Sequence, residues 1–567
     1  MKMKTRFIKM LAGLLVSATA LPRLSFAAKA TDNVPCWTMH EIPFTGQGTY
    51  ADPFGDVTLD VTFTGPGGIA MVMPAFWDGD SNWRVRFAPT QEGLWQYETA
   101  CSNTADAGLH GISGTIECVP YTGDLEIYQR GFIKTEPGVC YMMYADGTPF
   151  FYLGDTHWGM VKEPFDTMFK TVVDARVVQG FTVYQSQPHM HPDNHGPGYN
   201  LRDGLDESDL AAFADLDRRF AYIAEAGMVH ANAQLFYPTE LSENHYETDY
   251  LQQLGRYWAA RYGAYPVLWT TAQEADDDYY YERGDSTFTA ENNPWKTIAA
   301  AVGASDPYKH PLTAHQEATS YTNASKSEFK KLEAHSWFGA QWSPSLDHSP
   351  DFAVPKDYRC NGGGKPTINY EGLYDYFWTG HFGARAQGWI SYLNGMYGYG
   401  YGAIDLWLYQ CPWEMDIARF DGVEYITPED KATPWTESLY FETAGQLGHM
   451  RRFFESMDWW ELTPRFNSWK WFIPAWSPWW RPWNATATSF SVASDGNNAY
   501  VAYFYQPTRS TGLLRGLNCG PYIAAWFNPR NGEAVPIGSV KPFLGMYFIP
   551  CKPDKNDWVL TLTRAGG

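Results

Sequence analysis

The feature that most constrains the fold is a regular alternation of short apolar segments with helix-like segments between about residues 141 and 465. Alternating strands and helices predict a parallel sheet, and eight such units predict a closed (β/α)8 barrel. The sequence therefore predicts an α/β fold whose catalytic side chains stand where the strands end. The eight strand candidates are residues 150–155, 180–185, 228–234, 267–271, 310–315, 332–337, 365–371 and, loosely bounded, 388–407.

The segments on either side of this region have a β pattern. Residues 31–122 and 466–567 contain short alternating runs separated by turn signals such as Gly65-Pro66-Gly67-Gly68 and Pro529-Arg530-Asn531-Gly532. Short strands at this spacing are typical of β-sandwiches. We therefore predict an N-terminal sandwich over 31–122, a barrel domain over 123–465 and a C-terminal sandwich over 466–567.

The first 30 residues have the composition of a secretory signal. A basic start is followed by an apolar run over residues 11–21, which is too short to span a bilayer, and by Ala28-Lys29-Ala30. We expect an exported protein, periplasmic or extracellular, without a membrane insertion. Loss of the six basic residues of this segment changes the formal net charge from −21 to −27. So acidic a protein is a poor partner for nucleic acid or an anionic membrane.

Eight cysteines are an even number in a chain predicted to be exported, so disulfides are permitted. Cys101 with Cys118 and Cys519 with Cys551 are plausible local pairs, and free buried thiols are an equal alternative. The sequence contains no CxxC motif, which argues against a structural zinc site. We predict no metal and no cofactor, and a metal site ranks below sugar binding at the one candidate segment, residues 185–189.

Two strand candidates end on a glutamate, Glu274 after the fourth and Glu371 at the end of the seventh. In a parallel barrel these carboxylates share one rim, and two facing carboxylates are the minimal equipment for cleaving a glycosidic bond. The strand positions favour the closer spacing of a retaining enzyme, with Glu274 as acid/base and Glu371 as nucleophile. Two merely structural carboxylates are the alternative interpretation.

Further residues are candidates for sugar binding. Asp155 ends the first strand, and Gln185, Gln187 and His189 share one face of an extended segment. For this segment a metal site or a plain polar rim remains open. For His315 and His335, which end the fifth and sixth strand candidates, a structural histidine is a nearly equal alternative to a site residue. Aromatic residues make up 17% of the chain and either stack on sugar rings or fill the core. The other substrate-binding candidates are Trp158, His315, His335, Trp337 and Tyr370.

The motif Asp146-Gly147-Thr148-Pro149 followed by residues 150–155, together with 269–274 and 365–371, resembles the apiosidase-like catalytic domain of glycoside hydrolase family 140 and its relatives. The resemblance covers roughly residues 140–460, and the flanks are similar to the sandwiches that accompany such barrels, the second being a type named for collagen binding. It implies an exo-acting glycosidase that releases terminal sugars, furanosides such as apiose or arabinofuranose among them, from a polysaccharide. Glu274 departs from the aspartate often found at its position, so the resemblance supports the reaction class more firmly than the apiose specificity.

Other function classes lack their motifs. The sequence has no HExxH, GxSxG, GxxxxGK[ST] or Rossmann glycine pattern, which removes the usual metalloprotease, serine hydrolase and nucleotide-binding chemistries. The competing hypothesis is a non-catalytic carbohydrate-binding or adhesive surface protein on the same fold. The sugar, anomer, linkage, disulfide pairing and oligomeric state do not follow from the sequence.

Overall fold

The computed structural model contains a closed parallel barrel between two regions of mainly antiparallel sheet. It describes residues 32–188, 205, 207–232, 247–273, 293–315, 327, 329–343, 346, 352–375, 380–403, 406, 419–420, 423–424, 435–466, 470–474 and 490–565. The predicted fold class is confirmed. Within these ranges, no helix combines the length and the apolar character needed to cross a bilayer.

The N-terminal region has two sheets that face each other. One has the strand order β1-β8-β7-β3-β4 and the other β2-β6-β5. Phe63 of β3 stacks on Phe87 of β6 with 3.9 Å between ring centroids, so the sheets share one core. The strands are β1 Asp32–Pro35, β2 His40–Thr45, β3 Leu59–Thr64, β4 Ala70–Pro74, β5 Phe76–Trp77, β6 Asn82–Phe87, β7 Gly93–Cys101 and β8 Ser113–Val119, and a short helix α1 covers Pro53–Asp56.

A helix and a small hairpin connect this region to the barrel, whose eight strands pair in sequence order until the last pairs with the first. The connection contains α2 Glu126–Arg130, β9 Ile133–Lys134 and β10 Met143–Tyr144. The barrel strands are β11 Tyr152–His157, β12 Val183–Ser186, β13 Val229–Asn232, β14 Val267–Gln273, β15 Leu312–His315, β16 Phe338–Gln341, β17 Thr367–Glu371 and β18 Gly398–Tyr401.

Helices cover the outside of the barrel. They are α3 Lys170–Gln179, α4 Glu207–Glu225, α5 Thr248–Tyr262, α6 Pro294–Ser305, α7 Ala353–Asn361 and α8 Gly380–Leu393, followed by α9 Trp435–Ser438 and α10 Glu442–Glu455. The helical periodicity of the sequence over residues 435–456 predicts one helix, and the structure has two there, α9 and α10. Two other expectations also need correction. The sixth strand begins at Phe338 and not at residue 332, and the first part of the predicted eighth strand belongs to α8.

The barrel interior is filled by side chains, and glycines on β18 make room for them. The Tyr-Gly alternation points its glycines inward, because a Cβ on Gly400 would lie 1.9 Å from the carbonyl oxygen of Tyr370. Only a residue without a side chain fits there. Large side chains at alternate positions of the other strands fill the barrel interior. The interior cluster includes Tyr152, Val183, Val229, Leu268, Trp337, Ile368 and Tyr370.

The C-terminal region again has two sheets, with the orders β21-β23-β24-β29-β26-β27 and β22-β25-β28. Phe472 of β22 and Phe504 of β24 join them, with ring centroids 5.7 Å apart. The strands are β21 Thr463–Pro464, β22 Phe472–Pro474, β23 Phe490–Ser494, β24 Ala499–Phe504, β25 Gly512–Arg515, β26 Tyr522–Phe527, β27 Ala534–Val540, β28 Met546–Phe548 and β29 Trp558–Arg564; a separate pair is β19 Arg419–Phe420 with β20 Val423–Glu424.

The C-terminal region is fixed to the barrel by a buried ion pair. Arg385 of α8 donates two hydrogen bonds, of 3.0 and 2.9 Å, to the carboxylate of Asp557. Tyr503 of β24 donates a third, of 2.8 Å. A bidentate pair with this geometry fixes direction as well as distance. The C-terminal region therefore stabilises the barrel through α8 on its outer surface.

Candidate active site

Glu371 is the last residue of β17, so its carboxylate stands at the rim where parallel strands end. Its side chain is only 7% exposed. The hydroxyl of Tyr374 donates a hydrogen bond of 2.5 Å to Oε1. On the other side, Nε2 of His315 lies 3.4 Å from Oε2. The Tyr374 hydroxyl therefore fixes one oxygen of the carboxylate in a largely water-free environment, and the His315 ring lies beside the other oxygen.

Tyr374 connects this carboxylate to Trp158. The indole Nε1 of Trp158 donates to the Tyr374 hydroxyl over 2.8 Å, so the hydroxyl accepts from one neighbour and donates to the other. A hydroxyl that accepts a hydrogen bond becomes a better donor, which strengthens its bond to Glu371. Tyr374 is not among the candidates that the sequence indicates. Its position three residues after a strand-end glutamate was the available signal.

His315 ends β15 and is fully buried. Burial lowers its pKa to about 3, so the imidazole is neutral at neutral pH. It therefore faces Glu371 as a neutral ring and not as a cation. The rings of Trp158 and Tyr370 surround it, with centroids at 6.2 and 4.8 Å. The structure thus brings four of the predicted site residues together, namely Trp158, His315, Tyr370 and Glu371.

Glu274 lies outside the described residues, and so does His189. Gln273, the residue before Glu274, is the last of β14 and pairs with His315 of β15. Gln341 of β16 pairs with Glu371. The ends of β14, β15 and β17 therefore share one rim. The assignment of Glu274 as acid/base remains a prediction, as does its distance from Glu371.

Asp155 faces the helix layer and not the barrel mouth. Nε of Arg176 on α3 donates to its carboxylate over 2.6 Å, and Nε2 of His157 bonds the same oxygen. Burial acts to raise the pKa of Asp155, but the charges of Arg176 and His157 outweigh it and hold the pKa below its usual value. A carboxylate engaged in this way does not fit the sugar-binding role predicted from the sequence. It fixes β11 to α3.

His157 carries a positive charge in this buried group. Burial opposes that charge, but Asp155 and Glu163 raise its pKa to about 9. Because the folded pKa exceeds the ordinary 6.5, the stabilisation is complete below pH 6.5 and disappears as the pH rises through about 9. We expect wild type to lose on the order of 3 kcal/mol across this window relative to a His157→Gln variant. Urea unfolding of both proteins at a series of pH values measures it. A difference between them that is independent of pH would contradict the assignment.

The two glutamines occupy different depths. Gln185 is fully buried inside the barrel, where its Nε2 donates to the carbonyl oxygen of Tyr370 over 2.8 Å and its Oε1 accepts from Tyr152 over 3.0 Å. It therefore binds, from inside the barrel, the strand that carries Glu371. This position does not match the contact with sugar that the sequence predicted. Gln187 follows the end of β12 and is 6% exposed. Its predicted role in substrate binding stays open.

His335 and Trp337 lie at the wrong end of the barrel for the predicted role. Both precede β16, which begins at Phe338, so they stand at the N-terminal ends of the strands. His335 is held there by Lys365, whose Nζ lies 2.8 Å from Nδ1. Trp337 is fully buried among the interior side chains, 5.9 Å from Tyr370. Neither is a sugar platform at the mouth.

Family models match three parts of the chain. The model described as "Apiosidase-like, catalytic domain" matches residues 137–461, which is more than half of the chain. A domain of unknown function (DUF5060) matches residues 33–102, and a domain named for collagen binding in a collagenase matches residues 484–563. No curated protein matches the sequence.

Solved structures share the fold. A candidate glycoside hydrolase from Bacteroides vulgatus ATCC 8482 superposes with a TM-score of 0.65 at 17% identity, covering 94% of this chain and 100% of that one. A glycoside hydrolase family 5 protein from the same organism gives 0.59 at 15% identity, covering 78% and 95%. The closed barrel, the glutamate at its rim and the match to the catalytic-domain model all indicate the same class of protein. The chain belongs to the apiosidase-like family and is a glycosidase.

Proposed function

We propose that the protein is an exported, exo-acting glycosidase that removes terminal sugars from a polysaccharide with retention of anomeric configuration. The observation that carries the proposal is the environment of Glu371. A buried strand-end carboxylate that accepts a hydrogen bond from Tyr374 and faces the neutral His315 is prepared to act as an anion. Export rests on the signal-like residues 1–30, and the furanoside class on the family.

In the proposed reaction, Glu274 donates a proton to the leaving oxygen while the Glu371 carboxylate attacks the anomeric carbon. The covalent glycosyl intermediate is then hydrolysed by water, which Glu274 deprotonates. Such a pair stands about 5–5.5 Å apart, whereas an inverting pair needs about 6.5–9.5 Å to admit water. A second displacement at the same carbon restores the original configuration.

The acidic surface bears on the substrate. A formal net charge of −21, with more negative charge once residues 1–30 are removed, repels polyanions at long range. We therefore propose a neutral sugar at the cleaved terminus, with apiofuranosides and arabinofuranosides as the first candidates.

The test is release of monosaccharide from a panel of plant and microbial glycans and aryl furanosides. The proposal expects one sugar to be released from the chain ends by wild type, and none by Glu274→Gln or Glu371→Gln. Internal cleavage into oligosaccharides would contradict the exo mode. Full activity in either variant would contradict the assignment of the pair, and binding without any release would favour a non-catalytic carbohydrate-binding protein.

The hydroxyl of Tyr374 has a separate, measurable role in this proposal. A hydrogen bond to a charged group contributes about 1.5–3 kcal/mol, so Tyr374→Phe should lower kcat/KM by roughly 10-fold to 100-fold. Without that donor the carboxylate ionises less readily. The acidic limb of the pH profile of kcat/KM should therefore move to higher pH. Tyr440→Phe is the control, because Tyr440 is 63% exposed. An unchanged acidic limb in Tyr374→Phe would show that this bond does not hold the nucleophile ionised.

A further inference from the structure

Two cysteines of the N-terminal sandwich are brought together by the sheet. The sulfur atoms of Cys36 and Cys118 lie 2.8 Å apart. Their approach follows from the strand pairing, because β1 runs parallel to β8 with Val34 opposite Cys118. The amide of Cys36 then continues the ladder with a 2.9 Å hydrogen bond to the carbonyl oxygen of Val119.

We propose that Cys36 and Cys118 form a disulfide in the exported protein. A sulfur movement of less than an ångström reaches the covalent distance of about 2.05 Å. The same strand register excludes the pair suggested by sequence proximity. Cys118 stands opposite Gly93 of β7, and Cys101 is at the far end of that strand, roughly 26 Å away at about 3.3 Å per residue. A disulfide needs Cα atoms within about 7 Å.

The chemistry requires an oxidant, which is itself a reactive disulfide such as that of an export-compartment oxidase or oxidised glutathione. Cys36 is partly exposed, whereas Cys118 is 2% exposed, so the oxidant reaches Cys36 first. The Cys36 thiolate displaces one thiol from the oxidant and forms a mixed disulfide. Cys118 then attacks the Cys36 sulfur and releases the second thiol. Two protons leave the protein thiols, and two electrons pass to the oxidant.

Access to this reaction changes as the sandwich folds. Burial is the largest influence on both sulfurs and raises the pKa of each thiol above its usual value. The folded, reduced protein therefore holds little thiolate at neutral pH and oxidises slowly. The bridge forms fastest during folding or at alkaline pH.

The bridge would fasten the first strand of the sandwich. β1 has four residues, stands at the edge of its sheet and pairs with β8 alone within it. So short a strand is weakly held by its ladder. The covalent link closes a loop between positions 82 residues apart, and long loops gain most from closure in the chain-entropy model.

Peptide mapping without reduction tests the proposal directly. The full chain is purified from the exported fraction of a bacterial host, and the reduced protein is treated in parallel with oxidised glutathione at alkaline pH. After alkylation under denaturing conditions, we expect the Cys36 peptide linked to the Cys118 peptide in both samples. Alkylation of both residues in both samples, or a link from either one to another cysteine, would overturn the proposal.

A double-mutant cycle of melting temperatures distinguishes a disulfide from simple packing of the two thiols. Cys36→Ser and Cys118→Ser should each lower the melting temperature of the oxidised protein by roughly 5–10 °C, and the double variant should lose no more than either single one. A reductant should lower wild type to the same level and leave the double variant unchanged. Cys101→Ser is the matched control, because its response to the reductant should equal that of wild type. Additive single losses, or a reductant effect that persists in the double variant, would contradict the bridge.

Discussion

We expect replacement of Glu371 by glutamine to lower kcat by at least about 10⁴-fold, because the proposed nucleophile of a covalent mechanism is lost. Glutamine has the size of glutamate, and its amide oxygen can still accept the hydrogen bond from Tyr374. The variant lacks the charge that is proposed to attack the anomeric carbon, whereas the packing around His315 is retained. The change should therefore affect the chemical step and leave the fold intact.

Initial rates on the sugar identified by the glycan panel, together with thermal unfolding, make this measurement. Glu455→Gln is the control, since Glu455 is 38% exposed and pairs only with its helical neighbour Arg451 within the described contacts. Azide provides a second check in the Glu371→Ala variant, where it can enter the vacated space and attack the sugar itself. That product carries the inverted configuration. Near-wild-type activity in Glu371→Gln would place the nucleophile elsewhere.

Replacing Asp217 by alanine destabilises the protein by about 3–5 kcal/mol, the usual loss when one partner of a buried ion pair is removed. Asp217 on α4 accepts hydrogen bonds of 3.0 and 2.7 Å from Arg86 of the sandwich and of 2.9 and 2.7 Å from Arg261 of α5. The side chains of the two arginines are 5% and 1% exposed. Without Asp217, two buried positive charges at the sandwich–barrel contact lose their shared counter-ion.

The Asp217 carboxylate also makes the free energy of unfolding depend on pH in the acidic range. Burial acts to raise the pKa of Asp217, but the two arginines outweigh it, and the pKa lies below its ordinary 3.8. The stabilisation is therefore complete above that value and disappears as the pH falls through the lower, folded-state pKa. Urea unfolding of wild type and of Asp217→Ala measures the difference in the free energy of unfolding between the two proteins. Asp166→Ala is the control, because its exposed pair with Lys170 should contribute less than about 1 kcal/mol. An equal loss in both variants would contradict the interface role.

The barrel was predictable because its signal repeats. Each buried strand is a short apolar run between helices, and eight repeats compensate for the uncertainty of any one of them. The sixth and eighth strands were misplaced for physical reasons. β16 contains Gly339, and β18 alternates glycine with tyrosine. Both strands are packed on two faces, so neither shows the alternation of polar and apolar residues that marks a strand in a sequence.

The positions of candidate site residues were predictable where the strand end alone determines them, as for Glu371 and His315. They were not predictable where the face of the strand matters. Asp155 lies within β11 and Trp158 follows its end, and the two side chains point to opposite sides. Trp158 faces the mouth and Asp155 faces α3, as their hydrogen bonds show. Tyr374 lies beyond its strand, where the path of a loop decides what a side chain reaches.

The central claim, that Glu371 is the nucleophile of a retaining glycosidase, is tested most directly by trapping the intermediate. A 2-deoxy-2-fluoro analogue of the released sugar, carrying a good leaving group, allows attack but slows hydrolysis of the covalent intermediate. We expect the mass of the peptide containing Glu371 to increase by one fluoroglycosyl unit in wild type and to stay unchanged in Glu371→Gln. A label on another residue, or turnover to the inverted sugar without any label, would contradict the mechanism.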